Sequence, residues 1–174
     1  MAKSKQTKQK RTKEMGRYYH KKTEVDGIVF DSQTEAEFYQ YLKEEQKQGR
    51  VLSFEMQKTF VLQDKFIIVD GRKIEGSDEN FKKVQKENPG RTIKAINYIA
   101  DFVVTYSDGT VRAIDVKGAK TPDFKLKEKM FNYKYPEYNE LLCIVKYKKQ
   151  WMDYDEQERI KRENRKLKKL KSKK

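Results

Sequence analysis

Two apolar segments, Ile93–Tyr106 and Thr110–Lys117, with only Ser107-Asp108-Gly109 between them, constrain this chain more than any other feature. Segments rich in β-branched and aromatic residues form strands, and a short glycine-bearing link makes them a hairpin. Each strand carries an aspartate inside its apolar run: Asp101 in Tyr98-Ile99-Ala100-Asp101-Phe102-Val103-Val104, and Asp115 in Val111-Arg112-Ala113-Ile114-Asp115-Val116-Lys117. A buried carboxylate is costly unless it is paired. One such residue reads as a strand-end charge or an ion-pair partner. Two on neighbouring strands need a common cause.

Register decides whether they meet. A two-residue Asp108-Gly109 turn would set Asp101 against Val116 and send the carboxylates to opposite faces. A three-residue loop pairs Tyr106 with Thr110 and Asp101 with Asp115. Glycine in third place suits the left-handed residue of a bulged loop, so this second register is the expected one. It brings two like charges to about 4.5–5.5 Å at Cβ, which destabilises the pair unless a cation intervenes. Mg²⁺ (or Mn²⁺) prefers carboxylate oxygens and retained waters. Lys117 follows Asp115 by two residues and shares its face of the strand. Its ammonium can orient a water or stabilise charge developing on a phosphate. Alone, it reads as a lysine snorkelling at a strand end.

A helix from Ser32 to about Gln48, closed by Gly49, adds a third carboxylate. Glu35 heads the apolar stripe of Phe38, Tyr39 and Leu42, so it faces the core. Ser32-x-x-Glu35 is also a capping box, and capping and function both account for this residue.

The rest of the chain is organised around that centre. Its 174 residues suit one domain with a real core. Glu24–Phe30 reads as a strand or hairpin at Asp26-Gly27. Val51–Gln57 and Thr59–Val69 are β-rich. A loop insertion at Asp70–Arg91 is expected to carry a short helix, Asp78–Glu87. Thr121-Pro122 starts a helix that stops before Pro136. Leu141–Tyr147 is a buried strand, and residues 150–170 read as a polar helix fraying at its lysine-rich end. The fold class is therefore mixed α/β with a central sheet flanked by helices.

Charge is distributed unevenly. The formal net charge is +14, with +8 in residues 1–22, +8 in 157–174 and −2 between them. We divide the chain into a basic, disordered arm (1–22), a central domain (23–149) and a basic C-terminal helix or tail (150–174). Blocks of like charge stay solvated until they meet an anion, and nucleic acid is the commonest such partner. One cysteine and one histidine exclude a zinc finger and an intramolecular disulfide. No apolar run approaches the ~20 residues of a membrane span, and no signal-peptide pattern opens the chain. With Cys143 in a buried apolar run, a reduced thiol and a cytoplasmic address are expected.

Several stretches carry a resemblance: Gly27-Ile28-Val29-Phe30-Asp31-Ser32-Gln33-Thr34-Glu35-Ala36-Glu37, Tyr98-Ile99-Ala100-Asp101-Phe102, Asp115-Val116-Lys117-Gly118 and Thr121-Pro122-Asp123-Phe124-Lys125-Leu126-Lys127. In order and spacing the chain resembles the PD-(D/E)XK nuclease superfamily, and within it a phage-encoded endonuclease-like branch. That resemblance implies a restriction-endonuclease-like core and metal-dependent hydrolysis of DNA phosphodiesters. Glu35, Asp101 and Asp115 match the acidic, metal-binding positions, and Lys117 matches the motif lysine. Lys127 matches the extra basic residue that many members carry on the following helix, with a phosphate-binding or merely solvated lysine as its other reading. Gln57 is a further candidate. Ala100 stands where the superfamily's name has proline. By analogy with Holliday junction resolvases, selectivity for branched or otherwise structured DNA and a symmetric homodimer are expected. The alternative is a non-catalytic accessory protein that binds nucleic acid through its basic arms.

Overall fold

The computed structural model describes residues 22–77 and 79–172; the basic arm read over 1–22 thus lies almost wholly outside the described residues, as does the predicted helix start at Asp78. The chain opens with a hairpin, β1 (Thr23–Val25) and β2 (Ile28–Phe30), turned by Asp26-Gly27 with both residues at positive φ. Helix α1 (Gln33–Lys47) follows, with Ser32 as its N-cap and Phe38, Tyr39 and Leu42 buried. Next come β3 (Val51–Gln63), β4 (Phe66–Val69), β5 (Arg72–Glu75), α2 (Phe81–Glu87), β6 (Arg91–Ile93), β7 (Ile96–Tyr106) and β8 (Val111–Val116). Helix α3 (Pro122–Lys134) begins with Thr121 as cap and proline in its first turn, as its sequence dictates. A 3-10 turn at Pro136–Tyr138 leads to β9 (Leu142–Tyr147), β10 (Gln150–Asp153) and α4 (Tyr154–Lys171).

Five strands form the central sheet in the order β10-β9-β8-β7-β3. Its pairs are antiparallel except β8 with β9, which α3 joins as a parallel crossover. Helix α1 covers one face over Phe102, Val104, Ile114 and Val116. Helix α3 covers the other with Phe124 and Phe131, against Phe60, Tyr98, Val103 and Cys143. This mixed sheet flanked by helices has the layout of a restriction-endonuclease-like core, as the fold class anticipated. Burying each large apolar side chain stabilises the layers by about 1.5–3 kcal/mol.

Three local expectations are corrected. Val51–Gln63 is one continuous strand, not two β-rich pieces, because Gln57 takes a left-handed φ of 55° and the chain carries on through it. The insertion is larger than a loop. The strands β5-β4-β6 make a separate three-stranded sheet, with Gly90 under β4, where a Cβ would lie 2.3 Å from the Ile68 carbonyl. Residues 150–153 are strand, not helix: Trp151 and Met152 pair with Lys146 and Val145, and Asp153 then caps α4 through the amides of Asp155 and Glu156. Among the described residues, no helix is long and apolar enough to cross a membrane.

Candidate active site

The β7–β8 hairpin has the three-residue loop. Tyr106 N–H donates to the Thr110 carbonyl at 2.8 Å, and Gly109 N–H to the Tyr106 carbonyl at 3.0 Å. Gly109 has a φ of 84°, which an L side chain resists. Pairing runs from Thr105 with Val111 to Phe102 with Ile114, the register expected of a three-residue loop, and the ladder stops one step short of Asp101 and Asp115. The strands then depart from a regular ladder. Tyr98 and Ala100 pack on the α3 side but Phe102 and Val104 on the α1 side, although all four are even-numbered. Strand β3 slips likewise, with Met56 on the α1 side and Phe60 on the α3 side of Gln57. Asp101 therefore sits at a double kink. Its Oδ2 accepts the Val116 N–H at 2.8 Å, and Gln57 Nε2 donates to its Oδ1 at 3.5 Å.

Asp115 is almost wholly buried, at 1% exposure. The Tyr98 hydroxyl donates to its Oδ1 at 2.6 Å, and the Lys117 ammonium bridges both of its oxygens. That ammonium lies 4.8 Å from the centre of the Phe124 ring, which holds it in place on its other side. Lys117 thus shares a face with Asp115, as the spacing required.

Glu35 keeps one half of its capping box. Ser32 Oγ accepts the Glu35 N–H at 3.2 Å and caps the helix, but the carboxylate accepts from the Ser32 hydroxyl at 2.8 Å. The side chain therefore faces a cavity of about 210 Å³ that Asp31, Gln57 and Asp101 also line.

Electrostatics tie the groups together. Burial, then the charge of Asp115, raise the Asp101 carboxyl to about 7 against an opposing hydrogen bond from Val116. Glu35 is raised by burial against its Ser32 hydrogen bond, with Asp31 and Asp115 pushing further and Lys117 opposing. Burial first, and Asp115 second, push the Cys143 thiol up to about 12, so it is an inert core group.

The sequence reading expected one pocket; the structure divides the residues between two. Glu35 and Asp101 line the cavity, while Lys117 and Lys127 line a cleft of about 310 Å³ with Asn97, Tyr98 and Thr121. Asp115 lines neither; an ion pair joins it to Lys117, and its charge joins it to Asp101 and Glu35. Lys127 pairs with Asp123 at 3.4 Å, away from the carboxylates. Tyr98 was not anticipated. The one-residue slip at Asp101 puts it on the face of Asp115, and no sequence periodicity announces that slip. Asp31, beside the Ser32 cap, was missed as a lining residue for want of any signal.

The donor set is all hard oxygen, the kind Mg²⁺ or Mn²⁺ takes, and the raised carboxyls of Glu35 and Asp101 are what added positive charge would lower. In kind, the residues fit such an ion. Among the described residues, no three Asp, Glu, His or Cys side chains are already drawn together as a ligand cluster, and Lys117 holds Asp115 in an ion pair.

A family model described as "Protein of unknown function (DUF1064)" matches residues 15–152. No curated protein and no solved structure matches the chain.

Proposed function

The chain belongs to the DUF1064 family, whose description assigns no activity, and we propose that it is a metal-dependent endonuclease hydrolysing DNA phosphodiester bonds. One observation carries this reading: Asp101, bonded to the amide of Val116, lies within the field of its neighbour Asp115, which Lys117 pairs and whose charge also reaches Glu35. Three carboxylates and a lysine near one another are poor choices for stability alone and good ones for phosphoryl chemistry.

Asp101, Asp115 and Glu35 would hold Mg²⁺ or Mn²⁺, which supplies Lewis acidity and an activated water when bound. The chain's own residues do the rest. The Lys117 ammonium, steadied between Asp115 and the Phe124 ring, orients the attacking water and meets the negative charge that grows on the phosphoryl oxygens. Tyr98 fixes Asp115 and so the lysine. Gln57 and the Val116 amide fix Asp101. Water adds to phosphorus as the bond to the leaving deoxyribose oxygen breaks; the water gives up a proton to solvent and the leaving oxygen takes one from solvent, so the products are a phosphomonoester and a free hydroxyl.

The test is a supercoiled plasmid and a panel of linear and branched duplexes, incubated with the protein in Mg²⁺ or in EDTA. Cleavage is expected in Mg²⁺ alone, abolished by Asp115→Asn and slowed about a hundredfold or more by Lys117→Ala, which keeps DNA binding. The buried Asp115–Lys117–Tyr98 set favours a second reading, a structural ion pair in a non-catalytic DNA-binding protein. On that reading the parent cuts nothing, and Asp115→Asn alters stability only.

A further inference from the structure

A second charged surface lies outside the carboxylate cavity. The turn between β9 and β10 and one flank of α4 enclose a groove of about 600 Å³. Its cations are Lys148 from the turn and Lys161, Arg165, Lys168 and Lys171 from α4. On α4 they recur at intervals of four, three and three residues, which places them on one face. From Lys161 to Lys171 the run is about 15 Å long.

Both walls are built rather than trailing. Strand β9 pairs with β10 at Tyr147 and Gln150, so Lys148-Lys149 is a two-residue hairpin turn. Both lysines have positive φ, 49° and 69°, where glycine or asparagine would be preferred. The two-residue turn itself requires that geometry, and the Lys148 ammonium lies 5.3 Å from the centre of the Tyr147 ring, so the turn holds this lysine at the groove. Helix α4 is anchored at its start. Asp153 caps it, Tyr154 packs in the α3-side core, and the buried Lys120 ammonium joins Glu128 and Asp155 at 2.7 Å each.

The cations are largely uncompensated. Lys161 pairs with Glu158 at 2.9 Å, and Arg165 reaches the same carboxylate at 3.7 Å. Among the described residues no carboxylate pairs with Lys148, Lys168 or Lys171. A single phosphate would engage only part of a line this long; successive phosphates of a strand would engage all of it.

We propose that this groove docks the phosphate backbone of DNA as a contact surface separate from the carboxylate cavity. The choice of DNA among polyanions rests on the nuclease reading; the groove's preference for a polyanion does not. It positions the nucleic acid without reading sequence, since phosphate contacts carry none.

The test is fluorescence anisotropy of a labelled duplex with the full chain in EDTA, across a range of salt. The triple variant Lys148→Ala, Lys168→Ala, Lys171→Ala is compared with Lys82→Ala, Lys83→Ala, Lys86→Ala on α2, which removes the same charge elsewhere. The groove variant is expected to bind about tenfold or more weakly, with a salt slope shallower by about 2 to 3, the loss of three phosphate contacts. The α2 variant is expected to stay within about twofold of the parent, and circular dichroism to show both folded. Equal losses in the two variants, or parental binding by the groove variant, would overturn the proposal. Binding is read without metal, so a failure of the nuclease reading appears separately, as a parent that does not cut in Mg²⁺.

Discussion

Asp101 concentrates the physical tension in this molecule. Burial and the nearby charge of Asp115 hold its carboxyl at about 7, against an ordinary value of 3.8. The folded protein therefore keeps a proton that the unfolded chain releases between those values, and stability from this residue falls as pH rises through the interval. Asp101→Asn removes that dependence. In EDTA the variant's Tm relative to the parent is expected to climb from about pH 4 to about pH 7 and level off above, by scanning calorimetry. A flat difference would mean that the carboxyl is not held up. The same proton competes with a cation, so Mg²⁺ is expected to raise the parent's Tm more at about pH 8 than at about pH 5.

At the scale of elements, the β7–β8 hairpin determines what Asp101 faces. Gly109→Ala forces a side chain into a left-handed residue and is expected to lower stability by about 1 kcal/mol, read as a lower urea midpoint at unchanged slope. This hairpin was legible in the sequence because loop length, glycine position and strand pattern all agree on one register. The α1 and α3 starts were legible for the same reason: Ser32 and Thr121 are caps with nothing to override them. The kink at Gln57 and Asp101 was not, since it depends on two strands slipping together, and neither strand's pattern shows the slip alone. Nor was β10. Trp151 and Met152 are compatible with a helix, and only the neighbouring β9 edge makes them a strand. At the site, the acidic trio and Lys117 were legible as residue types out of place. Their division between a cavity and a cleft, and the part played by Tyr98, depend on side-chain packing that no local pattern encodes.

Across the whole molecule, a nearly neutral domain carries its positive charge at its ends, and the described C-terminal end turns that charge into a fixed groove. On the function proposed above, such a layout would hold a polyanion by long-range attraction while acidic residues in the domain handle a small region of it. The two surfaces make sense together only if the acidic one gains a cation, because carboxylates repel the phosphates that the groove attracts. Manganese binding followed by electron paramagnetic resonance tests that requirement most directly, at about pH 8, where the Asp101 carboxyl is ionised. The parent is expected to deplete the free Mn²⁺ signal saturably, with affinity reduced about tenfold or more by Asp101→Asn. A parent that binds no Mn²⁺ at millimolar concentration, or a variant that binds it equally well, would contradict the assignment of these carboxylates as a metal centre.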